Sequence, residues 1–323
     1  MLTRPIIINT CEFVANKSQF VSLSLKAMEK YCQNFSLEKS RHWSQIYPVG
    51  YKRRKNDDDE LDFLFLIGSQ AFCFWGYPHK WTIHYKGKSL DGWWALVACF
   101  ERAIEKGIPI LEGQYLAKLS SIKVRELFSG VPEIPLIKER KKILKGIGKA
   151  LVKKYKGRFH NFYRPEKREA FNLIEKISQE FSGFGDVATY KGKKVYFYKK
   201  AQVVISDICE IFKNKGYGRI NNIDQLPGHA DYKIPAILRK LGILIYHKDL
   251  VERIDSRIEV PVGSNMEIEI RANMLWATHL ICEKLKPKFP EINPVTLDGI
   301  LWALSQKKSK SGKPYHLTKT VCY

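Results

Sequence analysis

Long apolar runs are missing from this sequence. No stretch approaches the roughly 18 consecutive apolar residues that a membrane-spanning helix needs. The opening residues, MLTRPIIINTCEF, contain too short an apolar segment for a signal peptide and lack the small-residue pattern of a cleavage site. We therefore expect no membrane association and a cytoplasmic location.

Paired cysteines and metal-ligand spacings are also missing. The seven cysteines are scattered and none forms a C-x-x-C pair, which argues against structural zinc and against a disulfide framework, so we interpret them as buried free thiols. His79 and His229 have no second histidine at ligand spacing, so no metal is expected. The sequence has no Walker loop, dinucleotide fingerprint or catalytic-triad motif, and it indicates no cofactor.

Positive charge is abundant. The chain has 55 Lys and Arg against 33 Asp and Glu, a formal net charge of +22, which would attract phosphates on a free nucleotide or on a polymer. The densest basic runs lie at 138–158 and 307–319, and neither matches a helix-turn-helix, RNP or zinc-finger signature. Solvated protein faces are the favoured interpretation of these runs, and polyanion binding is the minority one.

Helical periodicity dominates the 323 residues, of which 45% are hydrophobic. We predict a polar loop at 53–60 followed by a buried apolar run, and half-buried strands within 80–88 and 191–200. Gly107 predicts the end of the helix that contains Trp93 and Phe100. The predicted helices occupy 18–34, 91–107, 137–155, 166–182, 201–216, 267–285 and 295–305.

This pattern predicts a mainly α fold with a small β element (α+β), since the strands are few and do not alternate with helices as in a Rossmann sheet. No linker or repeat divides the sequence. We expect one domain over residues 1–323, and the sequence leaves open two helical subdomains that flank a cleft.

Asp231 lies in the stretch GHADYKIPAILRKLGIL, just ahead of a short amphipathic run. It can be the N-cap of a helix that starts at Tyr232, because Pro235 would fall among the first positions, whose N–H groups need no intrahelical partner. A carboxylate at a helix N-terminus is also held ionised, ready to face the positive charge of an oxocarbenium-like state. Both interpretations stay open, and capping is favoured from the residues alone.

Other polar residues allow similar pairs of interpretations. Asp298, beside Gly299, either caps a helix, which is favoured, or accepts two hydrogen bonds from a guanine-like edge. Lys199 and Lys200, between a strand and a helix, could grip a phosphate, although surface lysines are commoner. Some tryptophans could stack on a base, although such aromatics are usually core residues. These are Trp75, Trp81, Trp94 and Trp302.

Seven blocks in order resemble the queuosine salvage protein family from about residue 40 to the end. They are AFCFW, KWTIHYKGKSLDGWWALVACFERAIEKGIPI, YFYKKAQVVISDI, HADYKIPAILRKLGIL, EIEIRANMLWA, LDGILW and YHLTKTVCY. The resemblance implies a queuosine 5′-phosphate N-glycosylase, which hydrolyses queuosine 5′-monophosphate and releases the 7-deazaguanine base queuine for reuse in tRNA. It also implies a fold similar to helix-hairpin-helix DNA glycosylases.

The resemblance also implies residue roles. Asp231 in ADYKIP takes the place of the family's catalytic aspartate, with Lys233 where arginine is usual. Asp298 in LDGILW takes the place of the base-binding aspartate, with Gly299 where an aromatic is usual. Lys199, in YKKAQ, is our prediction for the residue that binds the 5′-phosphate.

The other predicted substrate contacts include positions where the chain departs from the family. Tyr47 stands where the family commonly has a histidine, and His229 stands where it often has an aromatic residue. Ala303 stands where an acidic residue can follow the tryptophan of the LDGILW block, and Ala71 stands where the family has an asparagine. The additional substrate-binding residues that we predict are Gly299, His229, Tyr47, Trp75, Trp302 and Ala303.

Two rival functions remain open at this point. A base-excision glycosylase acting on a polymer would bind duplexes in a salt-dependent way. A non-enzymatic tRNA-binding protein would use the basic helix at 138–158. We expect the partner to be the small nucleotide queuosine 5′-monophosphate, with no stable nucleic-acid complex despite the basic charge, and the sequence leaves the oligomeric state open.

Overall fold

The computed structural model describes residues 2–37, 42–163, 168–306 and 313–323. The first half of the basic run at 307–319 and the first residues of the helix predicted at 166–182 lie outside these ranges. The helices are α1 Arg4–Ala15, α2 Leu25–Gln33, α3 Trp43–Ile46, α4 Asp57–Ser69, α5 Gly92–Glu105, α6 Gly113–Ala117, α7 Ser121–Leu127, α8 Ile137–Lys154, α9 Ala170–Glu180, α10 Lys199–Ile211, α11 Lys233–Lys240, α12 Lys248–Asp255, α13 Asn265–Leu285 and α14 Pro294–Gln306.

Six short strands form three antiparallel pairs within the described residues. The strands are β1 Val21–Leu23, β2 Thr82–Tyr85, β3 Lys88–Asp91, β4 Val187–Tyr190, β5 Lys193–Tyr196 and β6 Leu244–Tyr246. β2 pairs with β3 and β4 with β5 as hairpins, whereas β1 pairs with the distant β6. The mainly α fold with a small β element is thus confirmed.

Most predicted elements are present, with two corrections near the N-terminus. Residues 18–34 are not one helix, because Val21–Leu23 is extended and pairs with Leu244–Tyr246, so that α2 starts only at Leu25. Residues 53–60 are not all loop. Asn56 accepts a hydrogen bond from the N–H of Asp59 and caps α4, whose first turn is acidic and therefore suits a helix N-terminus.

The buried core joins elements from all along the chain. One hydrophobic cluster extends from Leu2 to Tyr323. Helix α13 packs against α1, α2, α11 and α14, while α10 packs against α4 and α9. The seven cysteines are free thiols, five of them buried and two partly buried. Within the described ranges, no helix combines the length and the apolar character needed to cross a membrane.

Candidate active site

A cavity of about 610 Å³ opens between α10, α14, the start of α5 and the segment that leads into α11. This volume is within the range of small-molecule sites. Of the nine site residues predicted from the sequence, six line the cavity: Lys199, His229, Asp231, Asp298, Gly299 and Trp302. Trp94, a candidate for stacking on a base, lines it as well. The tertiary structure therefore brings together residues from three sequence blocks that are far apart in the chain.

Asp231 is held at the start of α11. Its Oδ1 accepts hydrogen bonds from the N–H groups of Lys233 at 2.8 Å and Ile234 at 3.0 Å. The expected cap is therefore present, with the helix beginning at Lys233 rather than Tyr232. Pro235 follows as the third helical residue, where its missing N–H costs no intrahelical bond. Capping uses one carboxylate oxygen, and the same side chain lines the cavity.

Opposing charges act on the Asp231 carboxyl. Burial raises its pKa above the ordinary value of 3.8, and the charge of Asp298 adds to this rise. The ammonium group of Lys199 and the two amides at the start of α11 act in the opposite direction and lower that pKa. Lys199 therefore favours the ionised form that could face a positive charge.

Lys199 is a buried residue and not a surface lysine. It is the first residue of α10 and lines the cavity. Its Nζ donates to the carbonyl oxygen of Ala71 at 3.0 Å. Burial lowers its pKa, while the negative charges of Asp231 and Asp298 oppose that fall. These interactions assign the three side chains to one electrostatic cluster.

Asp298 does not cap a helix, which corrects the favoured interpretation from sequence. It lies inside α14, and the cap-like bond at that end is made by Asn293, whose Oδ1 accepts the N–H of Thr296 at 3.0 Å. The Asp298 Oδ1 instead accepts the N–H of His229 at 3.1 Å, and its Oδ2 lies 3.0 Å from His229 Nδ1. Each oxygen keeps a second lone pair for a ligand.

A buried ion pair ties the start of α10 to the segment before Asp231. Arg271 on α13 donates two hydrogen bonds to Asp186 at 2.9 and 2.7 Å. Its Nε donates to the carbonyl of Ala230 at 3.1 Å, and Asp186 Oδ2 accepts the N–H of Lys199 at 3.1 Å. This bidentate pair therefore fixes Lys199 relative to the residue before Asp231.

The aromatic residues divide between cavity and core. Trp302 and Trp94 line the cavity with their rings at 5.6 Å in an edge-to-face arrangement. Trp81 and Trp75 are buried, and Trp75 Nε1 donates to the carbonyl of Thr318 at 3.2 Å.

Tyr47, Trp75 and Ala303 are not among the lining residues. Tyr47 is buried, and its hydroxyl donates to Glu101 at 3.2 Å. Its ring lies 5.7 Å from that of Trp94, a lining residue. Direct substrate contacts by these three residues stay predictions, and for Tyr47 the structure offers a supporting position behind Trp94.

Several lining residues escaped the sequence analysis as site residues. They are His42, Trp43, Trp93, Ser206, Asp207 and Glu210. The last three could have been found, because Ser206, Asp207 and Glu210 follow Lys199 at helical spacings of seven, eight and eleven and so share its face of α10. No group of three or more His, Cys, Asp or Glu side chains in the described parts of the chain is arranged to hold a metal ion.

The sequence of this chain is similar to those of known proteins. Residues 51–323 match the family described as queuosine salvage protein. A Sphaerobacter thermophilus protein named queuosine 5′-phosphate N-glycosylase/hydrolase is 33% identical over 321 residues, which cover 98% of this chain and 97% of the relative. A Mus musculus protein of the same name is 33% identical, and the match covers 87% of this chain and 86% of the relative. One from Schizosaccharomyces pombe is 31% identical, and the match covers 81% of this chain and 79% of the relative. The chain therefore belongs to the queuosine salvage protein family.

Proposed function

We propose that this protein hydrolyses the N-glycosidic bond of queuosine 5′-monophosphate and releases queuine and ribose 5-phosphate. The observation that carries the proposal is the meeting of Asp231, Asp298 and Lys199 in one cavity. Relatives that cover most of this chain are named for the same substrate and bond.

The leaving group explains why a carboxylate is needed. A 7-deazapurine has carbon where a purine has N7, so protonation of N7 cannot activate the base for departure. The barrier must be lowered at the sugar, where positive charge develops at C1′ as the bond breaks. A buried carboxylate at C1′ stabilises that charge electrostatically or by bonding to it, and both roles require Asp231 to be ionised.

The other residues would position the nucleotide. Asp298, oriented by His229, accepts hydrogen bonds from N1–H and the exocyclic amine of the base. Trp302 and Trp94 give the base an apolar wall. Lys199 binds the 5′-phosphate, so that binding energy remote from the bond places C1′ against Asp231. Water then adds to C1′: its oxygen stays on the sugar as a hydroxyl, and one proton ends on the base nitrogen.

Mass spectrometry tests this proposal directly. The purified protein is incubated with queuosine 5′-monophosphate, with queuosine and with GMP, and free base is measured. We expect queuine from the monophosphate, less from the nucleoside and no guanine from GMP. Release of no base from any of the three would refute the proposal and would direct attention to salt-dependent binding of tRNA and duplex DNA.

A further inference from the structure

Asp207 is a cavity-lining carboxylate that the proposed chemistry does not use. It lies on α10 and is 5% exposed. Its Oδ1 accepts a hydrogen bond from Trp43 Nε1 at 2.9 Å and lies 3.0 Å from His42 Nε2. Its Oδ2 is buried and has no hydrogen-bond partner in the parts of the chain that the structure describes. A buried carboxylate oxygen without a partner is costly, so such an atom calls for a ligand.

A second polar atom on the same wall has the same property. Trp93 also lines the cavity, and its Nε1 is buried with no hydrogen-bond partner among the described residues. Its ring lies 5.4 Å from that of Trp43, the residue that holds Asp207. The wall therefore offers an anionic acceptor and a neutral N–H donor, and Trp43 contacts the side chains that carry them both.

The charges along α10 give the cavity a direction. Lys199 begins the helix, and Asp207 follows eight residues later, about 12 Å along the axis at 1.5 Å per residue. Glu210 adds a further acidic side chain toward the far end of the helix. Asp207 and Glu210 therefore lie well away from Lys199 along α10, and their negative charges favour a ligand that is cationic at their end of the helix.

We propose that Asp207 binds a cationic amine carried by the base, and that Trp93 Nε1 donates to a hydroxyl oxygen beside that amine. This inference rests on the proposed function, because the aminomethyl-cyclopentenediol arm of queuine has a secondary ammonium group followed by two hydroxyls. The ammonium donates to the Asp207 carboxylate in a charge-assisted hydrogen bond. Asp207 thereby selects the modified base over an unmodified 7-deazaguanine, while Asp298 reads the edge that both bases share.

Asp207→Asn is the variant that isolates this charge. The asparagine Oδ1 can still accept from Trp43 and His42, so the wall should keep its shape. Asp249→Asn is the matched control, because Asp249 lies on α12 with 56% of its side chain exposed and the substitution changes the net charge equally. Binding of queuine and of 7-deazaguanine to the wild type and both variants is measured by titration calorimetry.

We expect the wild type to bind queuine more tightly than 7-deazaguanine. Asp207→Asn should weaken queuine binding about 10- to 100-fold and change 7-deazaguanine binding less than about threefold. Asp249→Asn should leave both affinities unchanged. An equal loss for both bases in Asp207→Asn, no loss for either, or a wild type that binds the two bases alike would overturn the inference.

Base binding requires no hydrolysis, so the two proposals fail separately. Selective loss of queuine binding in a protein that releases no base from the nucleotide would support the arm site and refute the hydrolysis. If the wild type hydrolyses the nucleotide and Asp207→Asn shows no selective loss of queuine binding, the hydrolysis is supported and the arm site is refuted.

Discussion

Asp231→Asn separates the structural role of this carboxylate from its proposed chemical one. The structural role is the pair of hydrogen bonds from the N–H groups of Lys233 and Ile234 to one oxygen. Asparagine caps a helix about as well as aspartate, so these bonds should survive. The proposed chemical role needs negative charge, which asparagine lacks.

The loss of turnover can be worked out from electrostatics. A carboxylate about 4 Å from a unit positive charge contributes about 4 kcal/mol at an effective dielectric constant near 20. Removing that charge should lower kcat by a factor on the order of 10³. Queuine release under saturating nucleotide measures this loss, and an asparagine variant that keeps more than a tenth of wild-type kcat would refute the assignment of Asp231.

The free energy of unfolding should respond differently. Because burial raises the Asp231 pKa, the folded state loses stability as the pH rises between the unfolded-state pKa and the raised folded-state pKa. The neutral asparagine avoids this loss, so at pH 7 its stability should equal or slightly exceed that of the wild type.

Asp231→Ala provides the comparison, since it removes both the charge and the cap. It should be as inactive as Asp231→Asn. Its free energy of unfolding should be lower than that of Asp231→Asn by about 1 kcal/mol, which lowers Tm by roughly 2 °C. Thermal melts of both variants test this difference. Equal destabilisation of the two would show that the carboxylate matters to the fold through something other than the cap.

Three further outcomes follow from the same cluster. In the pH profile of kcat/KM, the midpoint on the acid side should lie above pH 3.8. Lys199→Met should move this midpoint to higher pH, because the lysine charge lowers the Asp231 pKa. An unchanged midpoint would contradict this coupling. Lys199→Met should also raise KM more for the nucleotide than for the nucleoside, whereas equal changes would exclude phosphate binding. Arg271→Met leaves Asp186 buried without its bidentate partner, so it should lower the free energy of unfolding by about 3 to 5 kcal/mol. Denaturant unfolding measures this loss, and a value below about 1 kcal/mol would show that the ion pair is not a fixed support.

The sequence was most informative where local pattern decides local structure. Alternation and a glycine turn predicted the strand that became half of the hairpin at Thr82–Asp91. The apolar stripe and Gly107 predicted α5 and its end, and Gly107 indeed has a positive φ of 69°. The Asp231 cap was also readable, since it depends on residues two and three positions away.

Local pattern failed where a distant partner overrides it. Residues 18–23 have helical periodicity, yet Val21–Leu23 is extended because it pairs with Leu244–Tyr246, more than two hundred positions later. Lysine is usually a surface residue, yet Lys199 is buried. Its ammonium group donates to the Ala71 carbonyl and lies near two carboxylates, which compensate for the loss of water. No window of neighbouring residues contains either partner.

The sequence by itself determined most of the longer helices, one hairpin turn and the cap at Asp231, because each depends on residues a few positions apart. Only the tertiary structure decided that the Asp298 carboxylate bonds to His229 and not to the start of a helix. For Asp207, the sequence shows that it shares a helical face with Lys199. Only the tertiary structure shows that Trp43 and Trp93 pack beside it. Periodicity fixes which side of a helix is buried, and packing alone fixes which buried sides meet.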